Sequence, residues 1–63
     1  MGKNEFMVYL SENFDIDGAT ERIISNILEY AEGLPYDEQY PFLTAVLDGT
    51  IGLSDAEIRK ISL

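Results

Sequence analysis

The sequence predicts an all-α protein, four short helices in a compact bundle built on a plan of paired helix-loop-helix units. Three observations carry that expectation. Apolar residues recur at three- and four-residue spacing in four separate segments. Glycines and prolines divide those segments from one another. The chain has 63 residues, 46% of them hydrophobic, which is enough for one small core and not for two, so residues 1–63 read as a single domain. A domain of this size buries only about 60% of its unfolded surface. Self-association would widen a narrow stability margin.

The first helix is expected from about Lys3 to Asn13, with Phe6, Leu10 and Phe14 four residues apart on one face and Glu5 placed to complement the helix dipole. The second is expected from about Ala19 to Glu32, where Ile23, Ile24, Ile27, Leu28 and Ala31 form a broad apolar face that should be core. Gly33, able to turn left-handed past the helix end, then Leu34 folding back and Pro35 blocking continuation, should stop it.

The third helix is expected between Tyr36 and Asp48, with Tyr36, Tyr40, Leu43 and Leu47 in one stripe, Phe42 and Val46 beside it, and Gly49 as the stop. Pro41 raises a second possibility, a start as late as Tyr40 after a separate turn at 36–39, because proline is comfortable only in a first turn. The fourth opens at Ser54-Asp55-Ala56-Glu57, a capping box flanked by Leu53 and Ile58 at hydrophobic-staple positions. Ile58 and Ile61 should face inward, with Arg59 and Lys60 near the carboxyl end.

Composition removes many functions. With no Cys and no His, the chain lacks a disulfide framework, a thiolate nucleophile and the commonest general base and metal ligand. Its serines have no histidine to activate them, and no glycine-rich phosphate loop is present. Asp37 and Glu38, the one adjacent acid pair beside a proline, read as first-turn dipole complements. The chain is expected not to be an enzyme and to carry no cofactor.

Twelve acidic residues against four basic ones give a net charge of −8. That field repels nucleic-acid phosphate and anionic membrane surfaces and favours a basic protein face. The longest apolar run, Phe6-Met7-Val8-Tyr9-Leu10, is far short of the ~20 residues that span a bilayer, and Ser11, Glu12 and Asn13 interrupt any leader pattern. A cytoplasmic protein is the expectation.

The stretch from Asn13 to Glu21 resembles the front of an EF-hand calcium loop. Asn13, Asp15 and Asp17 stand at its first, third and fifth places, Gly18 at its sixth and Glu21 at its ninth. The resemblance implies a helix-loop-helix unit with those side chains about a cation. Its twelfth place is Ile24 rather than glutamate, and its eighth is Thr20. Asp48-Gly49-Thr50-Ile51 resembles the middle of a second such loop, whose first and third places would be Thr44 and Val46. The implied unit is a degenerate one with weak or no calcium binding. Asp15 or Asp17 capping the second helix, with Gly18 and Gly49 turning the chain, explains the same residues without an ion.

The segment Glu29–Phe42 interleaves three tyrosines with four carboxylates and holds no basic residue. Glu29, Tyr30, Glu32, Tyr36, Asp37, Glu38 and Tyr40 are the candidate partner-binding residues. Tyrosine offers large contact area at low rotamer cost, and carboxylates receive Lys and Arg. Alternatively, the rings fill the core edge while the acids solvate the outer face. The leading expectation is a small non-enzymatic regulator or inhibitor that engages a basic protein surface. A homo-oligomeric structural subunit is the other, with the charge-balanced last helix and the apolar Ile61-Ser62-Leu63 end as its contact.

Overall fold

In the computed structural model, which describes residues 1–63, the element order is α1 (Lys3–Asn13), α2 (Gly18–Glu32), α3 (Tyr36–Ile51) and α4 (Asp55–Ile58), with no strand. The expected all-α class holds, and α4 is a single turn. α2 packs against both α1 and α3, and α4 packs against α3. The Cα radius of gyration, 10.6 Å, matches the roughly 11 Å of a fully compact chain of this length.

Ten apolar side chains form the core: Phe6 and Leu10 from α1, Ile24, Leu28 and Ala31 from α2, Leu43 and Leu47 from α3, then Leu53, Ile58 and Ile61. Three of the five residues expected to be core on α2 are therefore buried. Ile27 is half-buried, and Ile23 is 52% exposed. The reason is angular. At about 100° per residue, 24, 28 and 31 centre on one side of the helix, while 23, 27 and 30 centre roughly a quarter-turn away, and α1 and α3 cover the first set.

Each helix end has its own stop. Asp17 caps α2 by accepting from the Thr20 N–H at 2.7 Å, so the ion-free account of this aspartate describes its local role. That hydrogen bond holds the Asp17 carboxyl below its ordinary pKa. At the other end Gly33 is right-handed (φ −81°), not left-handed as expected. The last turn tightens instead, with Gly33 N–H donating to the Tyr30 carbonyl and Leu34 N–H to that of Ala31, each at 3.1 Å. Pro35 then serves as the N-cap of α3.

The start at Tyr36 expected for α3 holds against the later alternative at Tyr40, and the expected stop at Gly49 does not occur. The helix begins at Tyr36 and runs through Pro41, then through Gly49 to Ile51. Its start is fixed by the Glu38 N–H donating to the Pro35 carbonyl at 2.9 Å, and Gln39 Nε2 donates back to the Leu34 carbonyl. Continuation past Gly49 brings Ile51 against the core. A helical glycine costs only about 1 kcal/mol, which that burial offsets.

The left-handed glycine of the chain is Gly52 (φ 70°), whose N–H donates to the Asp48 carbonyl at 3.0 Å. A Cβ there would meet nothing within 4 Å, so the conformation alone sets the penalty. Gly52→Ala should destabilise by about 1–2 kcal/mol. For a domain of this size that lowers the melting midpoint by roughly 4–15 °C, measured by circular dichroism.

α4 opens as expected. Ser54 N–H donates to Glu57 Oε1 at 3.1 Å, and Glu57 N–H donates to Ser54 Oγ at 3.2 Å. The Ser54 N–H, together with the Ser54 hydroxyl, which donates to the same Oε1 at 3.0 Å, holds the Glu57 carboxyl below its usual range. Leu53 and Ile58, the staple pair, are both buried. The C-terminal residues are not a free apolar contact: Ile61 is buried and Leu63 packs on the core. Tyr40 Oη donates to the Ile61 carbonyl at 2.6 Å, and Ser62 N–H donates to the Met1 carbonyl at 2.6 Å, so the C-terminal segment is tied to both α3 and the start of the chain. No helix is long and apolar enough to cross a membrane.

Candidate functional site

The turns of α2 and α3 distribute the seven candidate partner-binding residues over three parts of the surface. Glu29 and Glu32 lie on the side of α2 that meets α1. There Lys3 Nζ donates to Glu32 Oε2 at 2.6 Å, and Glu29 adds its charge. That carboxylate contact, with Glu29 behind it, raises the Lys3 pKa. Glu32 is thus already partnered.

Tyr36 and Tyr40 lie on a second side. Their rings meet edge to face, centroids 6.4 Å apart. The Tyr40 hydroxyl is bound to the Ile61 carbonyl, and the Arg59 guanidinium sits 6.0 Å from its ring centre. Tyr40, like Tyr9, fills the core edge with its hydroxyl at the wet boundary, as one of the two readings of these rings expected. Tyr36 is 78% exposed.

Tyr30, Asp37 and Glu38 do come together, in the furrow between α2 and α3. Tyr30 is 62% exposed. Its ring leans on that of Phe42, centroids 5.1 Å apart and planes at 45°. Toward the α2–α3 joint, Tyr30 and Phe42 share a hollow with Leu34, Asp37, Glu38 and Pro41. Along the helices, the same two rings share a second hollow with Ile23, Ile27 and Asn26. The two hollows adjoin at the Tyr30–Phe42 ring pair, the one along the helices mostly apolar and the one toward the joint edged by Asp37 and Glu38.

No lysine or arginine lines this surface. The four cations lie elsewhere. Lys3 is on Glu32 and Arg59 on Asp55, Lys60 sits over the Tyr9 ring at 5.4 Å, and Arg22 lines the separate groove between α1 and α2. Asp55 raises the Arg59 pKa through that hydrogen bond and its charge.

Ile23, Ile27, Leu34, Pro41 and Phe42 are groove residues that the sequence reading did not select. For Ile23 and Ile27 the signal was present in the width of the apolar face on α2. A helix that buries one stripe and carries a second beside it has a face left for another body.

The four residues of the EF-hand-like stretch do not converge. Asn13 ends α1 with its side-chain amide donating to the Tyr9 carbonyl at 2.8 Å, and Asp17 caps α2. Asp15 and Asp17 edge a hollow against Thr50 and Ile51, whereas Glu21 lines the α1–α2 groove. No three acidic side chains in the structure are grouped so as to hold a metal ion.

Comparison with protein-family models, with curated proteins and with solved structures gives no match. The functional reading therefore rests on this surface.

Proposed function

We propose that the protein is a non-enzymatic interaction module whose acidic, tyrosine-bearing surface between α2 and α3 engages a basic protein partner. The observation that carries this reading is the coincidence of exposed Ile23 and Tyr30 with Asp37 and Glu38 on a surface lined by no cation. Aromatic area at the centre of a contact supplies affinity, and carboxylates beside it supply orientation and encounter rate. Small acidic inhibitors that occupy the basic groove of a nuclease or polymerase belong to this class. The setting is the cytoplasm, without direct contact to nucleic acid or membrane, both of which a net charge of −8 repels.

The geometry selects the charges to test. Asp37→Lys/Glu38→Lys changes the acidic end of the groove, while Glu29→Lys/Glu32→Lys changes a similar charge on the α1 side. With each chain as bait for lysate proteins at low and moderate salt, basic proteins held by the native chain should be lost from the first variant and kept by the second. With a captured protein in hand, the first variant should slow association by about tenfold at low salt. Unchanged eluates and an unchanged on-rate would refute the reading.

A further inference from the structure

The groove has a shape that narrows the class of basic partner, and this step rests on the reading just given. Ile23, Ile27 and Tyr30 follow one another at four- and three-residue spacing. They form a single ridge about 10 Å long at 1.5 Å per residue. Phe42 stands against Tyr30 from α3, and Val46 lies one turn further along the same side of that helix. Two neighbouring helices leave between them a furrow that accepts the side-chain ridge of a third.

An extended peptide has no equivalent seat. The protein has no strand whose edge would take up the peptide's backbone hydrogen bonds. Those groups would lie unpaired against apolar side chains. A helix arrives with its backbone bonds satisfied, and only its side chains need partners.

Charge selects among helices. The lining offers Asp37 and Glu38 and no cation, on a chain of net charge −8. A second copy of this chain would bring the same acids and another −8 to the contact, with nothing in the groove to neutralise them. A helix with an apolar side and a Lys- or Arg-rich flank complements both features.

We propose that the α2–α3 groove binds an amphipathic basic helix of a partner protein, with apolar residues at i, i+4 and i+7 seated against Ile23, Ile27, Tyr30 and Phe42 and its Lys or Arg side chains paired with Asp37 and Glu38.

The probe is a synthetic peptide of about four helical turns, leucine along one side and lysine on the other, titrated into the 15N-labelled full chain at low salt. One control has the same composition with its leucines scattered around the helix. A second keeps the leucine side and replaces lysine by glutamate. The patterned basic peptide should shift the amides of Ile23, Ile27, Tyr30 and Phe42 and bind at least about tenfold more tightly than either control. Ile23→Gln/Tyr30→Gln should weaken that binding by about tenfold or more. Both side chains are largely exposed, so an unchanged melting curve shows that this variant keeps the fold.

Equal affinity for the scattered peptide overturns the proposal, as do shifts confined to the α1–α2 groove around Met7 and Ser25. A native chain that sediments as a dimer, and as a monomer once Ile23 and Tyr30 are changed, overturns it in favour of a second copy. Should the charge-reversal result hold while the patterned peptide fails to bind, the helical partner falls and the acidic-surface reading stands. Should both fail, both fall.

Discussion

Leu28→Ala is expected to leave much of the protein unfolded at physiological temperature, while Ile23→Ala melts within a few degrees of the native chain. Leu28 is fully buried on the helix that packs against both α1 and α3. Truncating a buried leucine removes its transfer free energy and leaves a cavity, about 2–5 kcal/mol together. A native chain of this length has a total stability of roughly 3–9 kcal/mol. The loss is thus comparable to the whole. Ile23 is half-exposed on the same helix, and its truncation forfeits little burial while alanine improves helix propensity, so the change stays below about 1 kcal/mol. Urea unfolding followed by circular dichroism measures both. Equal losses would show that the 23–27–30 ridge belongs to the core, and the groove would then lose its apolar lining.

That pair of variants also marks where the sequence stopped being informative. Periodicity located α2, but Ile23 and Ile27 are as apolar as Ile24 and Leu28, and the two stripes are adjacent. Which one turns inward depends on how α1 and α3 dock, a long-range matter absent from a local pattern. The glycines divide in the same way. Gly33, Gly49 and Gly52 are equally able to turn left, and only Gly52 does. Gly33 stays right-handed in a tightened last turn, its N–H on the Tyr30 carbonyl, and Gly49 stays helical because Ile51 reaches the core. By contrast, the determinants of the Ser54–Glu57 box all lie within four residues, and that helix start was legible in full.

The candidate site was legible in composition and not in arrangement. Glu29, Glu32, Asp37 and Glu38 are neighbours in the sequence, yet the turn of α2 places the first two toward Lys3 and the start of α3 places the last two in the groove. The charge tally established only the sign of the chain's own field. Only the fold separates Glu32, already paired with Lys3, from the acids facing a groove without a cation.

Pro41→Ala is expected to stabilise the protein, raising the melting midpoint by roughly 4–16 °C. Pro41 occupies the sixth position of α3, beyond the first turn where proline is tolerated. It has no N–H to donate to the Asp37 carbonyl four residues back, and its ring crowds that carbonyl. An interior proline is about 3 kcal/mol worse than alanine in a helix. The stiffer unfolded chain that proline provides returns about 1 kcal/mol of this, so the substitution should gain about 1–2 kcal/mol, converted at roughly 4–8 °C per kcal/mol. Pro41 is also exposed in the groove beside Asp37, Glu38 and Phe42. If the proposed contact uses this surface, a residue kept there at a cost in stability is one whose shape the contact uses. The stabilised variant should therefore bind the patterned basic peptide less tightly than the native chain. Measuring melting and affinity on the one variant separates the cases: higher stability with weaker binding assigns the ring to the contact, and higher stability with equal binding confines the groove to Ile23, Ile27, Tyr30 and Phe42.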